Sequence, residues 1–370
     1  MLIYPAEFNA GKQAVFTALA RVEGASRRLL TIPLSRRDFP ETPARVAFCL
    51  SRAKHQPTGL ARRLKSLLIR LQYNGARRLF ARSPGGIALA WNGLGGSRLA
   101  FLLAAKDATC PTLHAELAPF PGRITLDPHG VNADSSVPQI AAFFTQWSAA
   151  DATRSNDQWR DLGEALTARP SRRADVGQGT AQLPDTPFLF CPLQVPDDSQ
   201  VMLFSDWTSG IEGFLSALHL AARNLPEGWH LRLKEHPAAR TPLAALIQPL
   251  LATGKVMLDN HSDSFAQLAA SAGVVTLNSS MGLQAFFFDK PVITLGRAFF
   301  AYEPLVSPAQ NQSHLNQLFA KPGTLTFDPL HRARFMNWLD RVYYPRLSDP
   351  VALAEKLDQA RNLALQPPLV

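Results

Sequence analysis

Short apolar runs alternate with amphipathic stretches along most of this chain, and that alternation predicts strand then helix, repeated. Met1–Tyr4 reads as a strand, and Asn9-Ala10-Gly11-Lys12 opens a helix running through Ala20. Leu29–Ile32 is a second strand pattern, while Val46–Leu50 suits a strand or the start of a helix. Gly86–Trp91 (GIALAW) has the pattern of a buried strand and turns through Asn92–Ser97 (NGLGGS) into a helix over Arg98–Lys106. Strands Thr112–Glu116 and Ile124–Leu126 follow, then a helical stretch over Phe143–Leu166. Beyond it, strands are predicted at Phe188–Gln194, His230–Lys234, Val256–Leu258, Ala272–Leu277 and Val292–Leu295. Helices over Glu212–Arg223, Leu243–Leu251, Ser264–Ser271 and Leu283–Phe288 separate them. Helical runs Leu330–Val342 and Pro350–Leu365 close the sequence. Strands spaced by helices imply parallel sheets with right-handed crossovers.

The chain has 370 residues, long for one ordinary domain and comfortable for two. Thr167–Pro187 is polar, without periodicity and rich in Arg, Gly, Asp and Pro, and reads as an interdomain linker. The expected organisation is an N-terminal α/β domain over 1–166, the linker over 167–187, a second α/β domain over 188–330, and C-terminal helices over 331–370. Two such halves form a cleft between them, the usual place for a small-molecule site. No signal-peptide pattern occurs and no apolar run reaches the length of a membrane span. Cys49, Cys110 and Cys191 lie far apart, without metal or redox spacing. These features favour a cytoplasmic protein with reduced thiols and no metal.

Charge changes the picture. The net charge is +9, and no acidic residue occurs between Thr42 and Lys106, a stretch holding twelve Lys and Arg. Within it Leu60, Leu64, Leu67, Leu68 and Leu71 share one helical face, with Arg62, Arg63, Lys65 and Arg70 largely on the other. Three readings fit: a soluble helix with its leucines in the core, a helix on an anionic membrane surface, or a polyanion-binding helix. No nucleic-acid motif accompanies the charge, so no nucleic-acid partner is expected.

The candidate chemistry sits at strand ends, which parallel α/β sheets bring to one edge. Asn278-Ser279-Ser280 follows a strand where a helix N-cap belongs, and offers backbone donors to an anion. Gly282 allows a close approach by a ligand or another backbone. Lys234 and His236 end the strand His230–Lys234 with cationic donors, and Gln194 ends Phe188–Gln194. In the first half, Glu116 is a carboxylate at a strand's end, with Asn92, Asp127 and Asn132 as further cleft candidates. A carboxylate with a phosphate-binding floor suits group transfer from an activated phosphate ester.

FCPLQVPDDS over Phe190–Ser199, KEHP over Lys234–Pro237 and NSSMGLQAFFFDKPVITLGRAFF over Asn278–Phe300 resemble the bacterial capsule polysaccharide biosynthesis proteins, which include the capsule β-Kdo transferases. Glu116–Pro121 and LDPHGVNADSS over Leu126–Ser136 look like that family's acidic motif and the segment after it. The resemblance implies a GT-B glycosyltransferase, two Rossmann-like domains with the site between them, using CMP-β-Kdo with retention on a glycolipid or polysaccharide acceptor at the cytoplasmic membrane face. It implies Glu116 as the catalytic carboxylate, and Lys234 and His236 as contacts to the CMP phosphate. It further implies Ser279 and Ser280 as the donor-binding serines and Gln194 as the glutamine of the PLQ strand, with no metal or cofactor. Two positions depart from the pattern: Gln284 stands where the family often has an acidic residue, and Leu117-Ala118 follow Glu116 where Gly is common.

Overall fold

The computed structural model describes residues 1–53, 56–164, 166, 175–180, 183, 185–239 and 242–364. The chain forms two compact units, one of Met1–Val137 with Leu339–Val370 and one of Pro138–Trp338.

The first unit is built on a five-stranded sheet in the order β2-β1-β3-β4-β5. Its strands are β1 (Leu2–Pro5), β2 (Ser26–Leu29), β3 (Ile87–Trp91), β4 (Thr112–Leu117) and β5 (Ile124–Asp127). The pairs among β1 to β4 are parallel, and β4 pairs with β5 antiparallel, Glu116 opposite Thr125. The link from β4 to β5 is too short for the helical crossover that a parallel pair needs. Alternating strand residues feed two cores. Ile3, Ala88 and Ala90 face the helices Thr42–Ser51, Gly59–Ala81 and Gly96–Asp107. Leu2, Tyr4, Ile87, Leu89 and Trp91 face the helices Ala10–Glu23 and Pro350–Ala364. Val46–Leu50 is thus helical.

The second unit carries six strands, β6 (Phe188–Pro192), β7 (His230–Lys234), β8 (Val256–Leu258), β9 (Gly273–Thr276), β10 (Val292–Thr294) and β11 (Ser307–Pro308). Their order is β11-β10-β9-β6-β7-β8 with every pair parallel. The chain steps outward from β6 through β7 to β8, then returns to start β9 on the other side of β6. That reversal makes β6 and β9 a topological switch point, where the loops after the strands part and leave a crevice at their carboxyl ends.

The structure differs from the sequence expectation at three places. Residues 138–166 belong to the second unit, because the helix Ala141–Ala149 packs on the helix Pro329–Trp338 through Phe143, Phe144 and Trp338. Pro350–Ala364 belongs to the first unit, burying Leu353, Leu357 and Ala360 there. The single helix expected over Phe143–Leu166 is broken: Asp151 and Asn156 accept from the N–H groups of Thr153 and Gln158, capping short 3₁₀ turns in place of a continuing helix. Most of the expected linker lies outside the described residues. Its described part is tied into the second unit, where Gly177 and Gly179 donate to the carbonyls of Asn260 and His261.

Candidate active site

The switch point of the second unit opens into a pocket. The turn after β6 lines it with Pro192 and Leu193, and the end of β7 with Lys234, Glu235, His236 and Pro237. The short helix Ser280–Gln284 after β9 supplies Ser279, Ser280, Met281 and Gln284, and Gln178, Ser264 and Phe265 complete the wall. Five of the sequence-chosen residues therefore meet in one place: Lys234, His236, Ser279, Ser280 and Gln284.

Their roles divide. Ser279 is the N-cap, extended at φ −67° and ψ 146°, and its hydroxyl accepts from the Met281 N–H at 3.2 Å. Its own N–H donates to Thr276 Oγ1 at 3.1 Å, so strand end and helix start are fixed together. Ser280 is exposed and Gln284 half-buried, both facing the pocket. His236 Nδ1 accepts from the Ala238 N–H at 3.0 Å, which puts the imidazole proton on Nε2.

Lys234 is placed otherwise than expected. It is 2% exposed, and Nζ donates to the carbonyls of Gly177 at 2.8 Å, Asn260 at 3.1 Å and Ser262 at 2.6 Å. An ammonium has three protons, and all three are taken. Burial lowers its pKa, an effect the charges of Asp259 and Asp263 oppose. Lys234 thus braces the pocket floor and contributes positive potential rather than a hydrogen bond to a ligand.

Gln194 and Asn278 also support rather than line. Gln194 Nε2 donates to Asn278 Oδ1 at 2.8 Å and Gln194 Oε1 accepts from the Asn278 N–H at 3.2 Å, closing a ring across the ends of β6 and β9. Asn278 Nδ2 donates onward to the Gln200 and Phe204 carbonyls. Gly282 serves packing, not a ligand: a Cβ there would lie 3.1 Å from both Phe300 and Thr276 side-chain carbons. The sequence reading missed Gln178, Ser264, Phe265 and Met281. Asp263 before Ser264 is a legible cap signal, since its carboxylate accepts from Phe265 and Ala266. Gln178, whose Oε1 accepts from the Ser264 N–H at 2.9 Å, had no such signal.

In the first unit, the ends of β3 and β4 bring Asn92 and Glu116 together. Asn92 Nδ2 donates to Glu116 Oε2 at 2.7 Å, while Asn92 Oδ1 accepts from the Leu94 N–H at 3.1 Å. Asn92 sits in the left-handed region at φ 62°, and Gly93 follows at φ 76°. A Cβ on Gly93 would lie 2.6 Å from His114 Nδ1, the atom that meets the Asn92 carbonyl at 2.9 Å. Only glycine lets that turn close over the imidazole. Burial lowers the pKa of His114, which the bond to Asn92 opposes.

Asp127 is not a cleft residue. It is fully buried, and its carboxylate accepts from the N–H groups of His129, Gly130 and Ser136, the Ser136 hydroxyl and the Tyr343 hydroxyl. It organises the turn after β5. Asn132 lies in a 3₁₀ turn of that same loop at φ 56°, half-buried.

A profile of the capsule polysaccharide biosynthesis protein family matches residues 171–339. The match takes in a little under half of the chain. The matched stretch holds every wall of the pocket. Protein FixF of Sinorhizobium fredii is 32% identical over 245 residues, 64% of this chain and 56% of that protein. The capsule polysaccharide modification protein LipB of Neisseria meningitidis is 31% identical over 171 residues, 44% of this chain and 38% of that protein. The chain thus spans about half the length of FixF and less of LipB. Among solved structures, the β-Kdo 2,7 transferase of Thermosulfurimonas dismutans KpsC superposes with a TM-score of 0.54 at 16% identity, covering 98% of this chain and 99% of that one. The fold is accordingly the GT-B type, a pair of Rossmann-like domains.

Proposed function

We propose that this chain is a glycosyltransferase of capsular or surface polysaccharide synthesis, and that CMP-Kdo is its donor. The observation that carries this reading is the pocket at the β6/β9 switch point, where His236, Ser279, Ser280 and Gln284 converge over the buried Lys234 within the family-matched residues. His236 Nε2–H and the Ser280 hydroxyl donate to the donor phosphate, and the buried ammonium of Lys234 offsets its charge through the floor. Gln284 supplies an amide to a ribose hydroxyl. In transfer, the bond from the anomeric carbon to the phosphate oxygen breaks and CMP leaves with the bonding pair. The acceptor hydroxyl oxygen bonds to that carbon and loses its proton. Glu116, held by Asn92, is the reacting carboxylate: its oxygen bonds to the anomeric carbon as CMP leaves. That bond then breaks, returning its electron pair to the carboxylate, as the acceptor oxygen attacks and its proton passes to the released CMP phosphate or to water, so that two displacements yield retention. KpsC, whose fold this chain shares, is a β-Kdo transferase, which favours this donor, and LipB is a capsule polysaccharide modification protein, which favours a polysaccharide acceptor.

The test is a thermal-shift screen of CMP, CMP-Kdo and UDP-sugars, followed by product analysis. CMP and CMP-Kdo raise the melting temperature and UDP-sugars do not. A shift with UDP-sugars alone overturns the donor assignment. A second reading, a nucleotide-sugar binding module without transfer, draws on the saturated Lys234 and on Gln284. It predicts a CMP-Kdo shift with no CMP released in the presence or absence of acceptor.

A further inference from the structure

The helix Gly59–Ala81 has two halves with different surroundings. Its second half is part of the first unit's core, burying Ile69, Tyr73, Ala76, Leu79 and Phe80. At ~100° per residue, Ile69, Tyr73, Ala76 and Phe80 share one side of the helix. Leu60, Leu64, Leu67 and Leu68 point to the opposite side and are 70%, 60%, 51% and 47% exposed. The leucine face is therefore not the core face. Leu34 extends it: the Ser35 N–H donates to the Leu71 carbonyl at 3.0 Å, laying Leu34 across the helix beside Leu71, 61% exposed.

Around the helix's second half, Arg70 pairs with Asp38, Arg77 with Glu41 and Arg45 with Asp107. No acidic side chain pairs with Arg62, Arg63 or Lys65 among the described residues. Arg63 and Lys65 flank the leucine stripe on either side, placed to keep their charges at a polar boundary while the leucines enter an apolar layer. Arg36 and Arg37 stand exposed next to Leu34.

We infer that the first half of this helix, with Leu34, is a docking surface for an anionic lipid bilayer. Exposed leucines flanked by unpaired cations match the interface of such a bilayer, with its acyl chains beneath anionic headgroups. A second copy of this chain fits the leucines but not the charges, because it would set the same unpaired cations against one another. Among the described residues no helix is long and apolar enough to cross a membrane, so this surface would hold the protein at the interface without spanning it. The inference stands apart from the glycosyl-transfer reading, since it rests on the other unit and is tested by binding alone.

The experiment is vesicle flotation with the full chain. Vesicles of phosphatidylglycerol and phosphatidylcholine retain the protein, and vesicles of phosphatidylcholine alone do not. The double variant L64E/L67E, at exposed positions, keeps its melting temperature and loses at least tenfold in vesicle affinity. R63E/K65E loses a comparable factor and flattens the salt dependence. Size-exclusion chromatography, run alongside, finds the parent monomeric at flotation concentrations. Failure of the parent to float with anionic vesicles overturns the proposal, as does undiminished flotation of L64E/L67E. A parent dimer that L64E/L67E dissolves would assign the leucines to a second copy instead.

Discussion

The Lys234 ammonium donates to the Ser262 carbonyl at 2.6 Å, and this bond ties the end of β7 to the loop after β8. With the bonds to Gly177 and Asn260 it makes a cation the brace of the pocket. Lys234→Met keeps the stem and removes the charge, leaving three carbonyls without that donor. The expected loss is ~1–3 kcal/mol of stability in ligand-free protein, measured by urea denaturation. A variant as stable as its parent that fails to bind CMP would instead place the ammonium on the ligand.

Asn92 and Glu116 give a second prediction. Glu116→Gln lowers sugar transfer by at least ~10²-fold. CMP affinity by calorimetry is unchanged, because the pocket residues all belong to the other unit. Asn92→Ala removes the 2.7 Å bond that orients the carboxylate and lowers kcat more than it raises KM. Near-normal turnover of Glu116→Gln would remove it from the mechanism.

Lys356 supplies a pH test of the first unit. It is 7% exposed, and burial pushes its pKa down from 10.5 to about 8, against the charges of Asp127 and Glu355. Between those two values the unfolded chain holds a proton that the folded chain has released, so stability rises with pH across that window. Burying the charged form costs ~3 kcal/mol at most, in full below the lower value. Lys356→Met should be the more stable protein at pH 7, with the advantage fading toward pH 10.5. Parallel stability curves for parent and variant from pH 7 to 10.5 would contradict this.

Much of the fold was legible because each strand is a short apolar run whose neighbours differ sharply in pattern. Phe188–Pro192, His230–Lys234 and Gly273–Thr276 lie within or match their predicted spans, and topology then carries the residues after them to one edge. The use each polar group makes of its hydrogen bonds was not legible. Lys234 is saturated by carbonyls from Gly177, Asn260 and Ser262, whose own side chains give no hint of it. Gln194 and Asn278 look like ligand donors until they are found bonded to each other, 84 positions apart. The leucines from Leu60 to Leu68 form an apolar face by periodicity alone. Which side the core takes is decided farther along the helix, by Ile69, Tyr73 and Phe80.

The placement of Pro350–Ala364 bears on how the chain is made. The second unit is continuous from Pro138 to Trp338, whereas the first is begun by Met1–Val137 and completed only after Leu339. A chain emerging from the ribosome would therefore present the later unit ready to fold while the earlier one still lacks the helix that covers Leu2, Leu89 and Leu113. In this protein, the half that is synthesised first would be the half that matures last.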